Sequence, residues 1–214
     1  MVCVQSIFVC KNKSSCVLIN IISLFFRLGT ISGVGHYLKQ KTTSCKECTI
    51  VLIDPPGSTL YNKVKYNIAY TPQQKERALL RHRYDTIAEG IGLDRITHNF
   101  AIGVDHDVID DAILIQDQDA VDIAHWLLKE EGLFVGSSSA MNVAGLIRFS
   151  LQSANQHDMQ KRTRCIVTVI CDGGQRHLTR FWNRDFIRNR GLLWPSDDEH
   201  LWHSRLDIIF SSKT

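Results

Sequence analysis

Continuous apolar runs alternate with amphipathic stretches along most of this 214-residue chain. Runs rich in β-branched residues predict buried strands at residues 49–53, 112–115 and 166–170, and a shorter apolar run predicts a strand at residues 133–135. Strands that are apolar on both faces are typical of a parallel sheet with helices packed on each side. The pattern therefore predicts an α/β fold with a parallel sheet and helices on both faces.

Helices are predicted between the strands, where apolar residues recur every three or four positions. The clearest one follows the second long run, with Asp117 or Asp119 as its N-cap and Gly132 at its end. The other predicted helices cover residues 33–41, the segment that begins after residues 136–139, and residues 178–189. Residues 58–106 are more polar and less regular, so no element is assigned there.

The first 28 residues differ in composition from the rest, with three of the seven cysteines and no acidic residue. The apolar stretch at 16–26 is about half as long as a bilayer-spanning helix, which disfavours a membrane anchor. Two lysines precede the stretch, so a targeting signal stays open. We expect residues 1–28 to be unrelated to the fold and residues 16–26 to lack a packing partner. The predicted domain is then 29–190, followed by a tail at 191–214.

Charge and cysteine content narrow the function classes. A net charge of +3 is too small to favour nucleic-acid binding. Seven cysteines do not pair evenly, which favours a reducing, intracellular compartment, either the cytoplasm or the mitochondrion. The single Cys45-x-x-Cys48 pair lacks the second pair of a zinc site, so no metal is assigned.

Three glycine- or serine-rich loops lie where a parallel sheet places its chemistry, after strands and at helix starts. They are Gly29–Gly33, Gly136–Ser139 and Cys171–Gly174. Each alone is typical of an ordinary turn or helix cap, although backbone N–H groups at a helix start can also hold a phosphate. A nucleotide-binding domain is disfavoured, since no complete G-x-G-x-x-G follows a strand.

Taken in order, these loops resemble the C-terminal half of the fold-type II pyridoxal-phosphate enzymes, the cysteine synthase and cystathionine β-synthase family. Gly29-Thr30-Ile31-Ser32-Gly33 matches the tail of the family's G-T-G-G-T-I-[ST]-G loop. The segments EEGLFVGSSSAMNVAGL, IVTVICDGGQRHLTRFWN, DPPGSTLYNK and DTIAEGIG are similar to other family segments. Residues 54–63 and 171–183 are most similar in sequence to the fungal branch sometimes labelled cysteine synthase 2.

The resemblance implies an incomplete tryptophan synthase β-like fold that binds pyridoxal 5′-phosphate. It implies β-replacement on O-acetylserine or serine to give cysteine, with a small amino-acid substrate and a homodimer in the complete protein. Nucleic acid and membrane are not implied as partners. The residues matched to family roles are Gly29 and Thr30 for the cofactor phosphate, Ser138 for the pyridine nitrogen, and Gly90, Ile91 and Gly92 for the loop that closes over the substrate.

Three departures from the family pattern bear on activity. Phe26-Arg27-Leu28 stands where the family has Gly-Thr-Gly, and Gly173 stands where it usually has serine. The lysine that forms the Schiff base has no counterpart, so no catalytic residue is assigned and we expect this chain alone to be inactive. Two alternatives stay open: a non-catalytic fragment that pairs with a full-length relative, and an activity of the cystathionine β-synthase or serine dehydratase type.

Overall fold

The structure of the chain is a computed structural model that describes residues 18–22, 29–41, 48–71, 86–155 and 164–211. Its described residues contain one sheet of four strands, in the order β3-β2-β1-β4, and every neighbouring pair is parallel. The parallel α/β fold predicted from the sequence is therefore confirmed. The strands are β1 (Leu18–Ile22), β2 (Thr49–Asp54), β3 (Asp111–Leu114) and β4 (Arg164–Thr168).

Seven α-helices accompany the sheet in the described part of the chain. They are α1 (Gly29–Lys41), α2 (Leu60–Tyr66), α3 (His98–Asp105), α4 (Asp117–Glu131), α5 (Ser137–Asn155), α6 (Arg184–Asn189) and α7 (Glu199–Phe210). None of these helices is both long and apolar enough to cross a bilayer.

Strand β1 lies inside the sheet, hydrogen-bonded to β2 on one side and to β4 on the other. In this register Ile22 is opposite Val51 of β2 and Thr168 of β4. The prediction that residues 16–26 lack a partner is therefore wrong for Leu18–Ile22. The wider expectation, that residues 1–28 are unrelated to the fold, stays a prediction for residues 1–17 and 23–28, which lie outside the described part.

Strand β2 forms the centre of the core because its residues are apolar on both faces. Ile50 to Ile53 are fully buried, as expected of a strand covered by helices on each side. Helix α5 approaches this strand so closely that a Cβ atom at Gly145 would overlap the Ile53 side chain. Phe100 of α3 and Ile123 of α4 complete the fully buried part of the core.

Helix boundaries differ from the sequence prediction at two starts. Helix α1 begins at Gly29 rather than at residue 33, so Gly29 and Thr30 form its first turn. Helix α4 begins at Asp117 and its N-cap is Gln116, which shares a capping box with Asp119. Neither aspartate is itself the cap, because the side chain at the preceding position already accepts from the first turn.

The two predicted elements at 133–135 and 178–189 are shorter than expected. Residue Val135 forms only an isolated antiparallel bridge with Gly173. The second segment is helical only over Arg184–Asn189, because the side chain of Asn183 caps a new helix there by accepting from the Phe186 N–H. Turns occupy the residues in front of that cap.

The segment predicted as a tail contains helix α7, which packs against α4 and α5. Trp202 and Leu206 are buried in that contact. Arg205 donates two hydrogen bonds, of 2.7 and 2.8 Å, to the carboxylate of Asp122, whose side chain is 1% exposed. The tail is thus fixed to the domain by a paired buried charge as well as by apolar contact.

Removal of β1 should destabilise the domain, because β2 and β4 do not pair with each other and would lose their shared neighbour. We expect deletion of residues 1–22 to abolish a cooperative unfolding transition, or to lower the free energy of unfolding by more than about 4 kcal/mol, the range of severe single substitutions. Urea unfolding followed by circular dichroism measures this. Deletion of residues 1–17 keeps β1 and is the matched control; equal stability of the two truncated chains would contradict the role of β1.

Candidate functional site

The carboxyl ends of the strands meet at one edge of the sheet, here named the carboxyl edge. Helix α1 starts at this edge, because its last turn lies at the opposite edge of the sheet, where β2 begins. There, Lys39 Nζ donates to Asp110 Oδ1 (2.6 Å), and Asp110 Oδ2 accepts from the N–H of Ile50 near the start of β2 (2.7 Å). Gly29 and Thr30, at the other end of the helix, are therefore on the side where parallel sheets bind ligands.

The serine turn, Gly136–Ser139, begins helix α5 at the same edge. Its hydroxyls do not cap their own helix but bond to neighbouring segments. Ser137 Oγ accepts from the N–H of Glu89 (3.1 Å), and Ser139 Oγ accepts from the N–H of Cys171 (2.8 Å), just past β4. These bonds fix the turn to both the loop at 86–93 and the end of the last strand.

Ser138 lies between those two serines and is 8% exposed. Its hydroxyl is close enough to the Cys171 thiol to affect the pKa of that group. Burial raises the pKa of Cys171, and the hydrogen bonds from Ser138 and Ser139 offset part of that rise. The thiol is therefore neutral at physiological pH and is a weak partner, which leaves the Ser138 hydroxyl able to turn to a stronger acceptor.

The loop at 86–93 contains the predicted substrate-side residues Gly90, Ile91 and Gly92. Its first residues are held by Asp117, which accepts from Thr86 Oγ1 (2.6 Å) and from the N–H of Ile87 (3.0 Å). At the far end, the N–H of Leu93 donates to Ser58 Oγ (3.1 Å). Gly90 and Gly92 have φ angles of 79° and 78°, which favour glycine. Gly90, Ile91 and Gly92 thus lie between two anchors, the hydrogen bonds of Asp117 and that of Ser58.

A cluster of charged side chains, the His177 cluster, links this loop to the end of β4. It consists of Glu89, Asp172, His177 and Arg180. His177 Nε2 lies 2.7 Å from Asp172 Oδ2, and Arg180 Nη1 lies 2.9 Å from Glu89 Oε1. His177 is 6% exposed, and its Nδ1 atom has no hydrogen-bond partner within the described residues, 3.7 Å from Glu89 Oε2.

Asp54 ends strand β2 at the carboxyl edge and is completely buried. Its Oδ2 atom accepts from the N–H of Tyr61 (2.8 Å), while Oδ1 has no hydrogen-bond partner in the described part of the chain. Burial raises the pKa of Asp54 to about 7, against the opposing effect of the Ser58 hydroxyl and the Tyr61 N–H. A carboxyl group in such a place is protonated over much of the physiological range.

The structure brings the predicted residues to one edge but connects only some of them. The loop of Gly90 to Gly92 and the turn of Ser138 are joined through the Glu89–Ser137 hydrogen bond. Gly29 and Thr30 are half-buried at the start of α1, where Gly29 packs near Asn99 of α3. None of the hydrogen bonds described for the chain joins them to the serine turn.

The lysines whose side chains are described have partners elsewhere in the domain. They are Lys39 with Asp110, Lys63 with Asn67, Lys65 with Asp111, and Lys129 with Glu199. The absence of a Schiff-base lysine from this chain stays a prediction. Cys45 lies outside the described residues, within which no three metal-ligating side chains come together.

Sequence reasoning missed the residues that hold the site together, in particular Glu89, His177 and Arg180. A weak signal existed, since Glu89 directly precedes Gly90 and His177 follows the Asp172-Gly-Gly turn by a short spacing. The polar contact expected to be lost at Gly173 has a counterpart: a Cβ atom at this position would overlap the amide end of Gln175. A glutamine side chain therefore occupies the space beside this turn.

Comparisons with known proteins agree with this arrangement. A family described as "Pyridoxal-phosphate dependent enzyme" matches residues 26–172, starting three residues before Gly29. Cysteine synthase 2 of Schizosaccharomyces pombe is 39% identical over 165 residues, which cover 77% of this chain and 39% of that protein. Cysteine synthase 2 of Emericella nidulans is 42% identical over 154 residues, covering 72% of this chain and 33% of that protein.

A solved structure shows the same fold. The O-acetylserine-dependent cystathionine β-synthase from Helicobacter pylori superposes with a TM-score of 0.55 at 23% identity, covering 76% of this chain and 43% of that one. The chain spans about two-fifths of the length of these proteins.

Asp54→Asn should remove a pH-dependent loss of stability. Because the folded-state pKa, about 7, lies above the unfolded value of 3.8, the folded chain holds this proton more tightly. Its contribution is fully present below pH 3.8 and is lost as pH rises through 7, at no more than about 1.4 kcal/mol per pH unit. We expect a flatter profile and higher stability at pH 8 for the variant, measured by urea unfolding from pH 4 to 8.

Asp197→Asn is a control for which we expect the opposite effect on stability at high pH. Burial opposes the shift, but hydrogen bonds from Arg188 and Arg184 lower the pKa of Asp197. Its charged form therefore stabilises the fold, and its replacement should lower stability at pH 8. An Asp54→Asn profile parallel to that of the parent chain would show that Asp54 titrates normally.

Gly136→Ala should disturb the serine turn. A Cβ atom there would overlap Asp172 Oδ1 and lie 2.8 Å from His177 Nε2. We expect a loss of about 1–3 kcal/mol in the free energy of unfolding, the usual cost of overpacking, measured by urea unfolding. The matched control is Gly33→Ala in α1, where the new methyl group meets nothing within 4 Å and should stabilise the helix by about 0.5–1 kcal/mol. Equal effects would contradict the close packing at Gly136.

Proposed function

Since the chain belongs to the family of pyridoxal-phosphate-dependent enzymes, we propose that its carboxyl edge forms the cofactor-ring side of a cysteine-synthase-type β-replacement site. The observation that carries the proposal is one hydrogen bond, in which Ser137 Oγ of the serine turn accepts from the N–H of Glu89 in the loop at 86–93. It supports the proposal because Ser138, proposed for the ring, directly follows Ser137, and Glu89 directly precedes the loop residues proposed for the substrate.

The polar groups at this edge fit the cofactor in part. The first-turn N–H groups of α1, at Gly29 and Thr30, have no partners within their own helix and suit a phosphate dianion. Ser138 offers a neutral hydroxyl whose present partner, a thiol, is weak. The fit is incomplete on the phosphate side, where residues 26–28 are Phe-Arg-Leu.

Bound pyridoxal phosphate supplies the electron sink that β-elimination and replacement at an amino acid require. Ser138 would donate a hydrogen bond to the ring nitrogen and leave it unprotonated, which moderates that sink and suits β-replacement. Gly90, Ile91 and Gly92 would enclose the amino-acid substrate, with their backbone able to approach closely because two of the three residues carry no side chain.

The substrate proposed for the complete enzyme is O-acetylserine or serine, with cysteine as product and a homodimer as its assembly. Relatives named cysteine synthase 2 support this choice. For the present chain we propose no turnover by itself, since covalent catalysis needs the lysine that it lacks and binding contacts cannot replace that amine.

Cofactor binding by the 214-residue chain tests the ring assignment. Pyridoxal phosphate and 4-deoxypyridoxine 5′-phosphate, which has no aldehyde, should bind with similar affinity, because no lysine captures the aldehyde. Ser138→Ala should weaken both by about two- to tenfold, the worth of one hydrogen bond, as measured by calorimetry with His36→Gln, on the exposed face of α1, as control. Unchanged affinity in Ser138→Ala would remove this residue from the site, and a single stoichiometric lysine adduct after borohydride reduction would overturn the absence of the lysine.

The reaction type is tested by restoring the rest of the enzyme. The N-terminal part of the Schizosaccharomyces pombe cysteine synthase 2 is joined to residues 29–214 and supplied with O-acetylserine and sulfide. Release of cysteine and acetate would support the proposal. Cystathionine formed from serine and homocysteine, or pyruvate formed from serine alone, would instead assign the alternative activities. A folded chimera that turns over none of these substrates would favour a non-catalytic role.

A further inference from the structure

We propose that His177 is a positioning residue which, when protonated, holds the loop at 86–93 against the serine turn by bridging Asp172 and Glu89. The assignment of this loop to the substrate rests on the proposed function, but the bridge itself does not. His177 belongs to neither the ring contact nor the phosphate contact. Its role would be to fix the loop that carries Gly90 to Gly92.

The argument begins with the two ring nitrogens. Nε2 of His177 lies 2.7 Å from Asp172 Oδ2, a hydrogen-bond distance at which the nitrogen must donate to the carboxylate. In a neutral imidazole the other nitrogen, Nδ1, then carries a lone pair. Nδ1 lies 3.7 Å from Glu89 Oε2. In neutral His177, Nδ1 is therefore a hydrogen-bond acceptor next to a second acceptor, the Glu89 carboxylate, and the two cannot bond to each other.

Protonation reverses this interaction. The imidazolium donates from both nitrogens, so Nδ1 can donate to Glu89 while Nε2 keeps its bond to Asp172. A shift of about 0.8 Å would bring Glu89 Oε2 within ordinary hydrogen-bond distance of Nδ1. Nδ1 is buried and has no partner in the described part of the chain, so a donated hydrogen bond would also satisfy it.

The movement would be transmitted to the loop through its backbone. The N–H of Glu89 donates to Ser137 Oγ in the serine turn, so the residue that carries the carboxylate is also the residue that docks the loop. Drawing the Glu89 side chain toward His177 strengthens the same contact. Gly136 makes room for the bridge, since a Cβ atom there would overlap Asp172 Oδ1.

The charged groups around His177 favour its protonated form. The hydrogen bond to Asp172 raises the pKa of His177 most, burial lowers it, and the charges of Asp172 and Glu89 raise it further. Arg176 acts in the opposite direction, Arg180 neutralises part of the Glu89 charge, and Cys171 stays a neutral thiol. The bridge is therefore fully formed below pH 6.5 and is lost as pH rises through the higher folded-state pKa.

Hydrogen exchange in the 214-residue chain without cofactor tests the proposal. Between pH 5.5 and 9, protection of the Glu89 amide, corrected for intrinsic exchange, should fall about two- to fivefold, the scale of a partly exposed ion pair. The fall should coincide with the titration of the His177 ring protons seen by NMR. The Leu93 amide, held by Ser58 at the other anchor, should show no such step.

Variants separate the bridge from a general structural effect. His177→Gln should flatten the step, and Glu89→Gln should flatten it and lower the pKa of His177. Glu89 is 40% exposed, so Glu89→Gln keeps the proposal testable if His177→Gln fails to fold. Arg180→Gln should retain the step, and His36→Gln, on the exposed face of α1, is the control for other histidines.

A step that persists in Glu89→Gln, or a His177 pKa that this variant leaves unchanged, would overturn the bridge. Because these measurements use no cofactor, their failure is distinct from a failure of the proposed function. Loss of ring binding in the calorimetric experiment would leave the exchange step intact.

Discussion

Parallel pairing on both sides of β1 is the constraint on which the rest of the structure depends. When β2, β1 and β4 all run in one direction, their carboxyl ends must lie at one edge, and every segment that leaves a strand there becomes a neighbour of the others. The register places Ile22, the last residue of β1, level with Thr168, the last residue of β4, and with Val51 inside β2. This pairing brings three segments close together: the start of α1, the turn after Asp54 and the turn after β4.

Hydrogen bonds then convert proximity into fixed geometry. Three serine side chains tie segments at the carboxyl edge to one another: Ser58 Oγ accepts from the N–H of Leu93, Ser137 Oγ from that of Glu89, and Ser139 Oγ from that of Cys171, three residues past β4. Short hydroxyl side chains suit this task because each can both donate and accept without introducing charge. The glycines at 90 and 92 are the exception, and they lie between the anchored residues.

The same edge separates a neutral region from a charged one. Beside Ser138 lies the half-buried Cys171 thiol, whose pKa is raised by burial. Asp172, the next residue, forms a network of opposite charges with His177, Glu89 and Arg180. A neutral hydroxyl is a suitable hydrogen-bond donor to an uncharged ring nitrogen. Charged partners suit the loop at 86–93, which they hold through the side chain of Glu89. The two regions can therefore differ in electrostatic character although one short turn connects them.

Sequence patterns predicted the parts of this structure that depend on local residue order. Strand β2 was predictable because its apolar run is continuous, and α5 because a glycine and three serines precede an amphipathic stretch. Strand β1 was not, since its place in the sheet depends on pairing with segments far along the chain. Helix α7 was missed for a related reason: Arg205 has its partner, Asp122, 83 positions away. Pairings of that kind leave no mark on local periodicity.

The candidate site divides in the same way. Ser138 could be singled out because its motif is contiguous, whereas the partners that orient it come from separate segments. Gly173 shows why family roles that are assigned one residue at a time can mislead. A missing serine suggests a lost polar contact, yet the structure has the Gln175 amide beside the same turn. A glycine at one position leaves room for a long polar side chain two positions later, so the missing serine does not by itself make this turn apolar.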